Sequence, residues 1–146
     1  MESIDKTVEK QMKVIQWLEK SDIANLPGDD ISRAIVVLST NNVFLGQFIA
    51  DRDYEINMME ATRKNVWTDE YAKSRSSEVK TTQKDSEMMA DKEVHTMVLD
   101  EIEAKRSLAK IKNLRTDCKE VVTSLQSRLN HLKQERIDAS MVPTPR

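Results

Sequence analysis

Two histidines, one cysteine and a run of cations beside a tryptophan are the residues of this 146-residue chain whose types could carry chemistry. A metal centre inside a helical bundle needs Glu-x-x-His pairs projecting inward from facing helices. His95 has Lys92, and His131 has Arg128, where that pattern requires Glu, so both read as surface or satisfied helix histidines. Cys118 stands in TDCKE with no histidine base to activate it, and reads as a small apolar residue. As the single cysteine it also excludes an internal disulfide and any cage of cysteine ligands. Gly28 and Gly46, the two glycines, cannot build a phosphate-cradling loop, and neither a Walker pattern nor a nucleophile elbow occurs. The expectation is therefore a protein with no catalytic residues, no metal and no cofactor, not an enzyme.

Binding chemistry is the remaining class. Arg63 and Lys64 stand just before Trp67 and Tyr71, and Lys73, Arg75, Lys80 and Lys84 follow. Single-stranded nucleic acid takes this combination, because phosphates need cations and unstacked bases need an aromatic face. Arg63, Lys64, Trp67, Tyr71, Lys73, Lys80 and Lys84 are thus the candidate nucleic-acid contacts. Asp69, Glu70, Glu78, Asp85 and Glu87 lie among them, and the competing reading is an ordinary solvated helix face with Trp67 in the core.

The elements that must position these residues are helical. One third of the chain is charged, while two Gly, three Pro and 4% aromatics leave little for turns or a thick core, which points to an all-α protein, an elongated helical hairpin or bundle with coiled-coil-like seams. Ile4, Val8, Met12 (or Gln11), Ile15 and Leu18 predict a helix over 3–20. Pro27 and Gly28 then break the chain, with Asp29 or Asp30 available as the next cap. Ile31, Leu38, Leu45, Ile56 and Val66 belong to a long helix over 31–71, in which AIVVL is too apolar to be exposed without a partner helix or subunit. Asn41 and Asn42 on this face read as register-fixing residues. The charged stretch 72–90 reads as a connector.

The clearest pattern is the last. Met97, Ala104, Ile111, Cys118, Leu125 and Leu132 recur every seven residues, accompanied by Leu108, Val122 and Leu129, with Glu101 and Arg115 interrupting the second row. It predicts a helix over 91–137, closing a single helical domain over 1–138, with 139–146 as a disordered tail containing Pro143 and Pro145. Ile111, Cys118, Leu125 and Leu132 are the candidate oligomerisation residues of a homo-oligomer. No run approaches the roughly 20 apolar residues of a membrane helix, and MESIDKTVEK lacks signal-peptide regions, so the expected setting is the cytoplasm, the host's if the chain is viral, with no membrane partner. A net charge of −2 hides an acidic front and a basic last helix, suited to self-assembly of unlike faces or to a polyanion, or simply to solvation.

SEVKT followed by SEMMADKEV, lying between a basic aromatic patch and a heptad helix, resembles the UvsY-like family of phage recombination mediators. The matching positions are Ser77, Glu78, Lys80 and Thr81, then Ala90, Asp91, Lys92, Glu93 and Val94, within residues 50–110. In this chain TQKDSEMM separates the two pieces, and EATRKNVW stands for the family's basic patch. The resemblance implies a small all-helical protein, assembled in a ring, that binds single-stranded DNA. It further implies help to a strand-exchange recombinase in displacing a single-stranded-DNA-binding protein. The alternative is a non-enzymatic helical scaffold or assembly protein acting through protein contacts alone.

Overall fold

The computed structural model describes residues 3–141, and among them it contains three α-helices, one short 3-10 turn and no strand. Helix α1 spans Ile4–Lys20, the 3-10 turn Ile23–Asn25, α2 Gly28–Arg75 and α3 Gln83–Ser140. The all-α hairpin expected from the heptads is the architecture found. The chain forms two compact units, one from residues up to Phe48 together with those from Ile111 onward, the other from Ile49–Lys110. Helices α2 and α3 contribute to both.

In the first unit α1 joins the α2/α3 pair. Ser3 caps α1 by accepting the Lys6 amide at 3.4 Å. Of the row Ile4, Val8, Met12 (or Gln11), Ile15 and Leu18, Gln11 is the residue turned inward: Thr7, Gln11 and Leu18 are buried and Ile4, Val8 and Ile15 half-buried, whereas Met12 is 48% exposed. Gln11 takes the inner position because three hydrogen bonds await it there, described below. Helix α2 starts at Gly28, and the Pro27 carbonyl accepts from Asp30 and Ile31. Asp29 and Asp30 are therefore first-turn residues, not caps, where carboxylates favour the positive helix end. The core gathers Leu18, Ile31, Leu38, Cys118 and Leu125, with Leu132 packed against it.

That core bears on the residues expected at an oligomer seam. Cys118 and Leu125 are fully buried within one chain and half-buried Leu132 packs against the same cluster, so this part of the seam is covered by the chain's own helices, while Ile111 is half-buried. A seven-residue repeat states that a helix has a partner, without stating whose helix it is.

In the second unit the antiparallel pairing continues around Ile56, Val94, Ala104 and Leu108. The expected connector 72–90 is mostly helix: α2 continues through Arg75 and α3 begins at Gln83, leaving only 76–82 outside. Thr82 accepts the Asp85 amide at 3.1 Å, acting as the cap of α3. The two helices close on small residues, with buried Ser74 and Ser86 sharing a hydroxyl hydrogen bond at 3.0 Å and Ala90 fully buried one turn on. Serine is polar and alanine only weakly apolar, so the start of α3 is marked in the hydrophobic pattern by Ala90 alone, seven residues before Met97. At the other end α3 runs through Ser140, so 139 and 140 are helical, while 142–146 lie outside the described residues.

Residues 34–50 of α2 contain no charged side chain. By length and composition alone this makes α2 apolar enough to cross a membrane, contrary to the expectation that no such run exists. Ser, Thr, Asn and Gln dilute its aliphatic residues without adding charge, which hides it from a search for purely apolar runs. Its buried side is polar at the centre, as Asn41 and Asn42 show.

Burial pushes the Cys118 thiol up to about 11, and the neighbouring Asp117 charge adds to the effect. Below the unfolded value of 9.0 the folded thiol contributes its full stability, and this contribution falls away as pH rises from there through the folded value. Wild type is expected to lose more stability than Cys118→Ala between pH 8.5 and roughly 11 in denaturant titrations, and the two should run parallel below pH 8. Parallel curves throughout would mean that the thiol ionises freely in the folded chain.

Candidate nucleic-acid interface

Helix geometry places Arg63, Lys64, Trp67 and Tyr71 on successive turns of α2, and the antiparallel α3 brings Asp91, His95 and Glu101 beside them. Together they line or flank a shallow groove of about 570 Å3 floored by Val94 and Val98. Trp67 and Tyr71 stack, with ring centroids 5.2 Å apart and planes 7° from parallel. Each ring thus covers one face of the other.

The cations are differently placed. Arg63 donates from Nε to Glu101 Oε2 at 2.9 Å, and Glu101 is 4% exposed with its second oxygen buried and unpartnered. Lys64 pairs with Glu60 at 2.9 Å on the same helix face. The Lys64 ammonium holds the Glu60 carboxyl below its ordinary range, and Lys105 and Arg63 act in the same direction. The Trp67 indole donates to Asp91 at 2.8 Å. Lys73, Lys80 and Lys84 are exposed, Lys73 on the last turn of α2, Lys80 in the turn and Lys84 in the first turn of α3. Arg75 donates to the Thr81 carbonyl at 3.0 Å and steadies that turn.

The structure therefore brings Arg63, Lys64, Trp67 and Tyr71 together and puts Lys73, Lys80 and Lys84 toward the hairpin end. Sequence reading missed the partners Glu101, Asp91 and Glu60. Glu60 was visible as an i, i+4 companion of Lys64. Glu101 was visible as a charge in a buried row, a position that requires a counter-charge. Asp91 carried no signal short of the helix register. No cluster of three His, Cys, Asp or Glu side chains able to hold a metal occurs among the described residues.

No protein-family model, no curated protein and no solved structure matches this chain.

A second constellation, in the first unit, is polar, with Gln11, Asn41 and Asn42 buried and Arg115 half-buried at its edge. Gln11 donates to the Leu38 carbonyl and to Asn42 Oδ1, each at 3.0 Å, and accepts from Asn41 at 3.2 Å. Asn42 in turn donates to the Arg115 carbonyl, and Arg115 Nε donates to the Asn42 carbonyl, both at 3.1 Å. A side chain at 46 would crowd this arrangement, since a Cβ there would lie 3.0 Å from the Arg115 guanidinium, and glycine leaves the space. Three helices are thus joined by a hydrogen-bonded network, and a shallow groove of about 390 Å3 opens beside its Asn42 and Arg115 members. Its chemistry is that of specific pairing. Arg115, an apparent defect in the heptad, is one of its members.

Outside these buried groups, α2 presents Val36, Val37, Val43 and Phe44 to solvent, from 40% exposed at Val37 to 62% at Val36. They fall within the charge-free stretch. In a chain one third charged, an exposed helix face without charge is the least expected surface feature.

Proposed function

We propose that this chain is a non-enzymatic helical assembly protein that works through protein contacts, with the exposed face of α2 as a contact surface, including contact with further copies of itself. The carrying observation is the exposure of Val36, Val37, Val43 and Phe44 within a stretch that bears no charge. Interface centres are depleted of charge and enriched in apolar side chains, whereas solvated helix faces are the reverse. Replacing Val43 and Phe44 by Ser should leave helix content unchanged and lower the native mass measured by sedimentation. A wild-type monomer at all concentrations would remove the self-contact, and an unchanged oligomer in the variant would place it elsewhere.

A second reading, the single-stranded-DNA-binding recombination mediator implied by the resemblance to UvsY-like proteins, is favoured by one local observation. The cations Lys64, Lys105 and Arg63 create a field that depresses the Glu60 carboxyl, next to a stacked Trp67 and Tyr71. On this reading recombinase and single-stranded-DNA-binding protein are the partners. Because Arg63 is tied to Glu101, the cations free to meet phosphate are Lys73, Lys80 and Lys84. Their triple replacement by Ala should flatten the dependence of log affinity on log salt by about 0.7 for each phosphate of a single strand that is no longer neutralised. Absence of oligonucleotide binding by wild type at low salt would leave the assembly reading alone.

A further inference from the structure

Beside the C-terminal end of α1, the first unit has a groove of about 450 Å3 between α1, the 3-10 turn and α3. Its floor is apolar: Leu18 and Leu125 are buried beneath it, Ile15 and Val121 are half-buried, and Ile23 is 36% exposed. Its charged lining consists of Glu19, Asp117 and Glu120, with no cation. All three are exposed, and none takes part in an ion pair among the described residues. The negative end of the α1 dipole lies at the same place. The chain already seats one guanidinium nearby, since Arg128 of α3 donates to the Ala24 carbonyl of the 3-10 turn at 2.6 Å.

We propose that this groove docks a basic amphipathic helix of a partner protein, with an aliphatic or aromatic side chain on the Ile15, Ile23 and Val121 floor and Lys or Arg facing Glu19, Asp117 and Glu120. Charge complementarity selects this occupant. An acidic or neutral helix would desolvate three carboxylates without compensation, and a nucleic acid would be repelled by them. A small cation alone would leave the apolar floor wet. The helix-in-groove mode uses both features at once, the apolar face for affinity and the flanking charges for orientation. This surface is separate from the α2 face and does not depend on it.

The test uses the full chain and a fluorescein-labelled, amidated 16-residue peptide of Leu along one helical face and Lys elsewhere, read by fluorescence anisotropy. Saturable binding is expected, with no binding of the matching Leu and Glu peptide. Glu19→Gln, Asp117→Asn and Glu120→Gln together should weaken binding at least tenfold and reduce its salt dependence. A charge-matched control, Glu93→Gln, Asp100→Asn and Glu103→Gln on the other unit, should bind like wild type, as should the Val43 and Phe44 double Ser variant. Equal weakening in the charge-matched control would reduce the effect to net charge and overturn the proposal, as would wild-type affinity in the groove variant. If the groove variant instead lowers the native mass of the protein alone, the occupant is a second copy and the partner assigned here is wrong.

Discussion

A chain with Asp in place of Leu125 is expected to lose its cooperative thermal transition, with helix content at 25 °C well below wild type. Leu125 is fully buried and packs in one cluster with Leu18, Ile31 and Leu38, contributed by the other two helices. Truncation to Ala alone would cost about 2–5 kcal/mol through forfeited transfer energy and the cavity left behind. A carboxylate there adds the desolvation of a charge with no partner, taking the total to more than about 5 kcal/mol, comparable with the whole stability of a small domain. Ile111→Asp should be milder because that residue is only half-buried. Circular dichroism melts check the ranking. If Leu125→Asp kept the wild-type melt while its native mass fell, the seam would join separate chains, contrary to the packing described above.

The second large effect concerns Arg63 and Glu101. Arg63→Ala is expected to destabilise by about 3 kcal/mol, because it leaves the carboxylate of Glu101 buried without its counter-charge, and partial exposure of Arg63 keeps the cost at the low end for such pairs. Glu101→Leu should cost less, since the stranded guanidinium can reach water. The double variant Arg63→Met, Glu101→Leu should recover most of the loss, as apolar replacement of buried pairs commonly does. Urea unfolding of wild type, Arg63→Met, Glu101→Leu and the double variant supplies the cycle, with Arg63→Ala measured beside it. A loss for Arg63→Ala below about 0.5 kcal/mol would show that the pair behaves as an exposed one. The same measurement bears on nucleic-acid binding, because weakened binding by an Arg63 variant would report a damaged helix pair as readily as a missing cation at the phosphate.

The sequence made the helices legible wherever burial used aliphatic residues. The repeat from Met97 to Leu132 located α3, and its first row extends back to Ala90 with the same spacing. It failed where burial used other means. Between Met12 and Gln11, both open in the sequence, hydrogen bonds decide for Gln11, and Ser74 with Ser86 closed a helix pair that no hydropathy pattern marked. The candidate binding residues were found as a cluster, yet their electrostatic state was not, since Asp91 and Glu101 are 24 and 38 residues from the groups they hold. Such partners become visible only once the hairpin register is known.

Register itself is where Asn42, Arg115, Arg63 and Glu101 have their widest consequence. A seven-residue repeat is nearly unchanged when one helix slides by one repeat, a displacement of about 10 Å at 1.5 Å per residue. Apolar rows alone would therefore leave the hairpin with several alignments of similar energy, a problem of phase more than of affinity. Arg115 meets Asn42 in one alignment only, and Arg63 meets Glu101 in one alignment only. A slipped alignment separates Glu101, the one of these charges that is buried, from the Arg63 guanidinium. The two apparent flaws in the heptad thus act as fiducial marks, converting a periodic ruler into one with an origin in each unit.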